Sequence, residues 1–205
     1  MINENAFIVF EGIDGSGKST QIKMLAAALS EQGMSVEVTA EPSNGDIGKL
    51  LRSYLKKEKV TDNRAIAPLF AADRIDHITA KGGILDLLNR KNTVLCDRYY
   101  LSSYAYQAID CDMDWVIELN REAQRLAKPD LHIFLDLPCE ISMERVKNRG
   151  ETELFEQLDR QKKIRENFFI LFEKLKDEEN IFIVDATKSP EEIAQEIRNK
   201  VLCTE

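Results

Sequence analysis

The sequence predicts an α/β fold in which a parallel sheet of five strands lies between two layers of helices. Three observations favour this fold: short apolar runs recur along the chain, helical patterns separate them, and polar residues follow directly after most of the runs. Apolar runs without polar alternation are typical of parallel strands that are covered on both faces. Helices between such strands provide the crossover connections that parallel strands need.

The predicted elements follow one another in a regular order. Strands are predicted at 7–11, 36–40, 93–97, 131–136 and 181–185. Helices are predicted at 18–32, 47–57, 66–89, 101–108, 113–128, 140–149, 154–176 and 190–201. The last helix has the clearest start, since Ser189 is followed by Pro190 and two acidic residues, an order that favours a helix N-terminus. This alternation predicts an open sheet with its binding crevice at the carboxyl ends of the strands.

The first strand leads directly into a glycine-rich segment that precedes a helical pattern. This strand–loop–helix order is typical of a P-loop, whose glycines let successive backbone N–H groups point into one cavity. The positive end of the helix dipole also favours an anion. Lys18 would bind the β- and γ-phosphates of a nucleotide, and the Ser19 hydroxyl would reach Mg²⁺. The predicted phosphate site consists of Gly12, Ile13, Asp14, Gly15, Ser16, Gly17, Lys18, Ser19 and Thr20. The fold class is therefore a P-loop three-layer αβα sandwich.

Polar residues follow the other strands of the predicted sheet. Glu41 and Pro42 follow the second strand, Asp97 and Arg98 end the third, and Asp136 ends the fourth. Because the carboxyl ends of parallel strands meet at one edge of a sheet, these side chains are expected to surround one crevice. Asp97 and Asp136 are candidate ligands for Mg²⁺ or its waters. A helix cap or turn is the alternative, and for Asp136 it is equally strong.

Length, charge and composition narrow the class of protein. The 205 residues fit one domain, 1–205, and 43% hydrophobic with 31% charged residues is ordinary for a globular protein. The net charge of −8 argues against broad nucleic-acid binding, which needs a basic face. No apolar run approaches ~20 residues, the N-terminus lacks a positively charged leader, and the four cysteines have no metal-site spacing. We therefore expect a cytoplasmic protein without membrane or nucleic-acid partners.

The phosphate-binding motif leaves the fate of the nucleotide open. A GTPase would carry Asn-Lys-x-Asp, but Asn199-Lys200 lies in the last predicted helix and lacks the aspartate. A small phosphotransferase is the economical choice, and it needs a second anion site built of arginines, for which Arg52, Arg74 and Arg98 are candidates. Phe70 lies four residues before Arg74, on the same helix face, and offers a flat surface for a base. Ordinary core packing of Phe70 explains this pair equally well.

At this point the sequence resembles the thymidylate kinase family, whose members phosphorylate dTMP with ATP. The resemblance extends from Phe7 to about Val201 and rests on residues 10–20, 41–52, 69–74, 95–107, 128–136 and 185–187. The segment from Asp97 to Gln107 is the most specific to the family. It separates this family from adenylate and guanylate kinases better than the P-loop does.

The resemblance implies roles for residues that the motif alone does not assign. Phe70 would stack on thymine, and Arg74 and Gln107, with Ser103 nearby, would hydrogen-bond the base. It further implies ATP and dTMP as partners, a homodimer, and Mg²⁺ as the cofactor that accompanies ATP.

The resemblance also implies which residues hold the phosphates and the adenine. Arg52 and Arg98 would hold the dTMP phosphate. Glu41 and Asp97 would organise Mg²⁺, its waters and the sugar or phosphate region. Arg145 looks like the arginine that packs on adenine.

The resemblance places a lid at about 147–156, which closes to exclude water. Some thymidylate kinases carry the cation for the transferred phosphoryl group inside the P-loop, but Gly15 stands in that slot here. The lid therefore has to supply the cation. It offers Lys147 and Arg149, while Leu154 stands where the family commonly has an arginine. We predict that Arg149 fills the role. The full set of predicted catalytic residues is Lys18, Glu41, Asp97, Arg98 and Arg149.

Alternatives to dTMP phosphorylation stay open at this point. A related kinase for another deoxynucleotide or a nucleoside would keep the fold and mechanism, because dUMP differs from dTMP by one methyl, worth about 1–3 kcal/mol. Ala40 and residues 43–45 depart from common family residues near the dTMP phosphate and leave the affinity open. A non-catalytic nucleotide-binding protein is the alternative of a different class. Its support is the departure at Leu154, and it predicts ATP binding without dTMP-dependent ADP release.

Overall fold

The computed structural model describes residues 5–146 and 151–202, and of residues 146 and 151–157 it describes the backbone alone. Within these residues the strands form one parallel sheet in the order β2-β3-β1-β4-β5. The strands are β1 (Phe7–Glu11), β2 (Val36–Ala40), β3 (Thr93–Asp97), β4 (Leu131–Asp136) and β5 (Ile181–Asp185). The predicted parallel five-stranded sheet is confirmed. The predicted bounds of each strand agree with the structure.

Helices connect the strands and cover the sheet. Those after β1 and β2 are α1 (Lys18–Glu31), α2 (Asp46–Leu55), α3 (Asn63–Thr79) and α4 (Ile84–Asn89). Those after β3 are α5 (Tyr100–Gln107), α6 (Met113–Leu119) and α7 (Arg121–Leu126). The remaining ones are α8 (Cys139–Val146), α9 (Glu151–Leu175) and α10 (Pro190–Leu202). Of the predicted lid, 147–156, residues 147–150 lie outside the described residues, and the backbone of 151–156 forms the first turns of α9.

The structure corrects the predicted continuous helices 66–89 and 113–128. The first is divided by a turn at Gly82, whose φ of 78° lies in the left-handed region that favours glycine. The second is interrupted at Asn120, whose fully buried side chain is held by Val116 and by Arg74 of α3. The helical spacing of apolar residues continues through both breaks. A prediction from periodicity alone therefore treated each pair of helices as one.

Alternation along β1 divides the core into two layers. Phe7 and Val9 face a cluster that includes side chains of α3, α5 and α9, whereas Ile8 and Phe10 face a cluster with α1 and α10. The edge strands are less covered than expected, since Val38 of β2 is 55% exposed. Burial on both faces therefore belongs to the central strands. It fixes their register and holds their carboxyl ends at one edge of the sheet.

Candidate active site

The loop between β1 and α1 forms the wall of a cavity of about 750 Å³. Gly12, Gly15 and Gly17 have φ values of 142°, 75° and 99°, which non-glycine residues rarely adopt. A Cβ at Gly12 would lie 2.8 Å from the backbone oxygen of Leu135 in β4. The loop thus needs glycine both for its bend and for its approach to the neighbouring strand.

Lys18 lies in the first turn of α1 and is buried against the loop. Its ammonium donates hydrogen bonds of 3.1 Å to the carbonyl oxygens of Gly12 and Ile13. Burial lowers the pKa of Lys18 to about 8, and the neighbouring Arg98 acts in the same direction. Because an ammonium with this environment lacks a full set of anionic partners, it is poised to bind phosphate oxygens.

Ser19 and Asp97 meet at the floor of this cavity, although they lie on different elements. The Ser19 hydroxyl donates to Asp97 Oδ2 at 3.3 Å. The other carboxylate oxygen of Asp97 is buried and has no hydrogen-bond partner among the described residues. A hydroxyl beside one carboxylate fits Mg²⁺, which keeps most of its waters and takes further oxygens from nucleotide phosphates. No group of three or more His, Cys, Asp or Glu side chains that could hold a metal ion occurs among the described residues.

The cavity beside the phosphate loop is called the donor cavity below. Its far end is formed by the loop between β5 and α10, together with Arg145 of α8. Lys188 and Pro190 line the cavity there. The Arg145 guanidinium donates to the carbonyl of Gly15 at 3.3 Å and lines the same cavity. An arginine at this position can cover a flat heterocycle whose phosphates lie on the loop.

A second cavity, of about 800 Å³, lies on the other side of Glu41 and Arg98. Ile66, Phe70 and Arg74 line it from one face of α3, since they are four residues apart. From α5 the lining residues are Ser102, Ser103, Tyr106 and Gln107. The Oε1 atom of Gln107 is buried without a hydrogen-bond partner in the described part of the chain. This second cavity, called the acceptor cavity below, thus combines an aromatic ring with polar groups suited to the edge of a base.

Arg74 lies at the base of the acceptor cavity and is 1% exposed. Its Nε donates to Glu41 Oε2 at 2.8 Å, and its Nη2 lies 2.5 Å from the same oxygen. Further hydrogen bonds lead to Asn120 and, at 3.1 Å, to the hydroxyl of Ser103. Arg74 therefore fixes the position of Glu41 and of the cavity wall.

Glu41 lines both cavities and is held on its two sides. Besides Arg74, the ring of His77 lies 3.3 Å from Glu41 Oε1. His77 in turn contacts the Thr39 hydroxyl at 2.7 Å through its other nitrogen. A carboxylate fixed in this way between two cavities keeps a defined position when ligands enter.

Arg98 follows β3 and has a φ of 69°. Its guanidinium donates to Gly12 O at 3.0 Å and to Asp14 Oδ1 at 2.6 Å, and it lies 4.7 Å from the centre of the Tyr106 ring. Asp14, Glu41 and Arg98 line both the donor and the acceptor cavity. A cation at this boundary can contact phosphates that enter from either side.

Arg52 has a different position from the other predicted phosphate ligands. Its guanidinium donates 2.6 Å hydrogen bonds to the carbonyl oxygens of Pro42 and Ser43, and a 3.1 Å bond to the Asn44 side chain. Among the described residues that line the two cavities, Arg52 is absent. In this structure Arg52 holds the loop after β2, which itself borders the acceptor cavity through Pro42.

Asp136 makes an ion pair instead of facing the phosphate loop. Both of its oxygens accept from Arg165 of α9, at 2.6 and 2.8 Å. In the described part of the chain Asp136 lines neither cavity. Its observed partner, Arg165, belongs neither to the magnesium prediction nor to the alternative of a helix cap or turn.

Two residues that shape the site were given no role by the sequence analysis, although both lie in segments that carry the family resemblance. Asp73 is buried and accepts from both the backbone N–H and the hydroxyl of Ser43, at 2.7 and 2.6 Å. Tyr106, whose ring contacts the Arg98 guanidinium, directly precedes Gln107. The predicted lid cations Lys147 and Arg149 lie outside the described residues.

The two cavities meet at shared charged side chains, and one of them is built on a P-loop. This arrangement is typical of a kinase that transfers a phosphoryl group from a nucleotide on the P-loop to a second nucleotide, or to a similar small anion, in the other cavity. A model of the thymidylate kinase family matches residues 10–197. The chain therefore belongs to the thymidylate kinase family.

Relatives of known name support the same family. The chain is 43% identical over 198 residues to a protein of Pyrococcus horikoshii named "Probable thymidylate kinase", and the match covers 93% of each chain. A protein of Methanocaldococcus jannaschii with the same name is 40% identical over 196 residues, which cover 95% of this chain and 94% of its own length. In the described residues no helix combines the length and apolarity that a membrane span requires.

Proposed function

We infer that the chain transfers the γ-phosphate of ATP to dTMP, which gives dTDP and ADP. The observation that carries this inference is the boundary between the two cavities, where Asp14, Glu41 and Arg98 line both of them. A donor phosphate on the loop and an acceptor phosphate in the second cavity would meet there. Membership of the thymidylate kinase family identifies the acceptor as dTMP.

The donor side holds ATP through the loop amides and Lys18. The adenine lies against Arg145, and the residues that bind the triphosphate are Gly12, Ile13, Asp14, Gly15, Ser16, Gly17, Lys18, Ser19 and Thr20. Ser19 and Asp97 would hold Mg²⁺, which would supply positive charge against the negative charge of the nucleotide phosphates. The unpartnered oxygen of Asp97 supports this position for the ion.

The acceptor side orients dTMP for attack. Phe70 stacks on thymine, while Arg74, Ser103 and Gln107 recognise the edge of the base. Arg98 holds the phosphate of dTMP. Arg52 also binds this phosphate. To do so, its guanidinium breaks its hydrogen bonds to the carbonyl oxygens of Pro42 and Ser43 and donates to the phosphate instead.

The reaction needs no covalent enzyme intermediate. A dTMP phosphate oxygen forms a bond to the γ-phosphorus as the bond to the β,γ-bridging oxygen breaks, and ADP leaves. Because the attacking oxygen is already anionic near neutral pH, no strong general base is required. Lys18, Glu41, Asp97 and Arg98 act by positioning and by balancing charge, and Arg149 in the lid supplies the remaining cation.

The wider setting is also a proposal. The chain acts as one domain, 1–205, with its lid at about 147–156. It works in the cytoplasm as a homodimer, in the supply of dTTP. The family resemblance supports each of these statements.

The experiment measures ADP release with ATP and Mg²⁺ in the presence of dTMP, dUMP, dCMP, dGMP, dAMP or thymidine. We expect release that depends on dTMP, with dTDP as product, and loss of release when EDTA removes Mg²⁺. Preference for another acceptor would contradict the assigned base contacts while leaving the donor site intact. Binding of ATP without release in any arm would contradict the catalytic assignment.

A further inference from the structure

The helix that follows Arg98 begins without a cap of its own. In the described residues the side chain of Tyr99, the N-cap of α5, makes no capping hydrogen bond. The carboxylate of Glu11, at the end of β1, lies at this position instead. Its Oε1 accepts from the backbone N–H groups of Tyr99 and Ser102, at 3.1 and 3.3 Å. Its Oε2 accepts from the Ser102 hydroxyl. The N–H of Ser102 is the one that an N-cap side chain normally satisfies.

Arg98 lies between this cap and β3 in an unfavourable backbone conformation. A non-glycine residue with a φ of 69° persists only where its surroundings hold it there. The Arg98 N–H donates to Phe10 O at 2.9 Å, and its guanidinium donates to Gly12 O at 3.0 Å. The next N–H along the chain, that of Tyr99, donates to Glu11. Three successive residues from β1 and its loop thus hold Arg98 and the start of α5.

The burial of Glu11 indicates that its hydrogen bonds to α5 are needed to keep the carboxylate at this position. Its side chain is 0% exposed, and a buried carboxyl is tolerated only where hydrogen bonds offset its lost hydration. Burial raises the pKa of Glu11, whereas His132, Ser102 and Arg98 act against this rise. An apolar residue would complete the strand at lower cost, so packing gives no reason for a carboxylate here.

We propose that Glu11 is a positioning residue: it caps α5 from the neighbouring strand and so holds Arg98 in the left-handed conformation that directs its guanidinium between the donor and acceptor cavities. The inference rests on the proposed role of Arg98 in holding the dTMP phosphate. Glu11 itself lines neither cavity. It joins the strand that carries the ATP loop to the helix that carries Ser103 and Gln107.

The test compares Glu11→Ala with Glu11→Gln. The glutamine keeps an oxygen for the two N–H groups, and its amide can donate to the Ser102 hydroxyl, so it retains the cap without the charge. Steady-state kinetics with ATP and dTMP is measured beside thermal unfolding and calorimetric binding of dTMP. Tyr100→Phe is the matched control, because it removes a buried 2.9 Å hydrogen bond from the same helix to Glu179, away from Arg98.

In Glu11→Ala we expect the KM and Kd for dTMP to rise about tenfold, because a smaller fraction of the protein holds Arg98 in the competent conformation. The KM for ATP is expected to change by less than about threefold, since the loop amides and Lys18 remain. Glu11→Gln is expected to stay within about threefold of the wild type for dTMP. Tyr100→Phe is expected to lower the Tm and leave both KM values unchanged.

Three outcomes would overturn the proposal. One is a lower Tm of Glu11→Ala with unchanged dTMP constants, and another is equal damage from alanine and glutamine, which would assign the effect to charge. The third is a crystal structure of Glu11→Ala in which Arg98 keeps its left-handed conformation. If Glu11→Ala does not fold, Glu11→Asp keeps the charge but has a side chain too short to reach the N–H groups of Tyr99 and Ser102, and it is expected to raise the Kd for dTMP about threefold. Failure of the wild type to bind dTMP would instead reject the proposed function, and the Arg98 conformation in the variants would still test the cap.

Discussion

The buried ion pair between Glu41 and Arg74 gives the sharpest prediction about stability. Their side chains are 2% and 1% exposed, and the closest N–O distance is 2.5 Å. Glu41→Ala removes the carboxylate and leaves the guanidinium buried without its anion. Deleting one partner of a buried pair costs about 3–5 kcal/mol. At about 2–4 °C per kcal/mol for a domain of this size, the Tm should fall by about 6–20 °C.

Thermal unfolding gives the Tm, and urea unfolding gives the free energy of unfolding with its midpoint and m-value; both are followed by far-UV circular dichroism. The double variant Glu41→Ala/Arg74→Met should recover part of the loss, because it also removes the unpaired buried charge. Asp46→Ala is the control, since its contact with Lys49 joins side chains that are 98% and 66% exposed, and its midpoint should match the wild type. A loss below about 1 kcal/mol in Glu41→Ala, or simple additivity in the double variant, would refute the reasoning.

The remaining predictions concern the nucleotide sites. Because burial lowers the pKa of Lys18 to about 8, its positive charge is lost as the pH rises through this value, so kcat/KM for ATP should fall above about pH 8. A flat profile up to pH 9.5 would contradict this. Gly12→Ala should weaken ATP binding at least about tenfold in calorimetry, since its Cβ meets Leu135 O at 2.8 Å, whereas Gly33→Ala, with open space around its Cβ, should lower the Tm alone. Arg149→Ala should reduce kcat far more than KM, by about 10³-fold if it supplies the transition-state cation, and an unchanged kcat would move that role to another residue.

The sequence predicted the parts of the fold that depend on local pattern. The strands are short apolar runs with clear ends, so their bounds agreed with the structure. Likewise, the phosphate loop depends on glycines and on a helix start that all lie within one segment. The break at Gly82 had a local signal, the pair Gly82-Gly83, but the predicted helix 66–89 ran through it. The interruption at Asn120 had no such signal, because its cause is the contact with Arg74 from another helix.

The sequence predicted most of the residues that line the site, but it did not predict the directions in which their side chains point. Phe70, Arg74 and Gln107 were placed in one group by family resemblance, and the structure gives them a common cavity. The direction of Arg52 toward the loop carbonyls depends on how α2 packs beside residues 42–44, which no local pattern reports. The same holds for Asp136, whose partner Arg165 lies 29 positions away in the chain. Long-range packing therefore decides which charged groups face a ligand.

The ion pair between Arg98 and Asp14 joins a largely buried guanidinium to an exposed carboxylate. The side chain of Arg98 is 18% exposed, whereas that of Asp14 is 63% exposed. A carboxylate with this exposure keeps much of its hydration, and ion pairs of exposed groups contribute about 0–1 kcal/mol. A phosphate can therefore replace Asp14 at Arg98 at little cost. Binding of a phosphate is then an exchange of anions at an arginine whose backbone is already held in place by β1 and its loop.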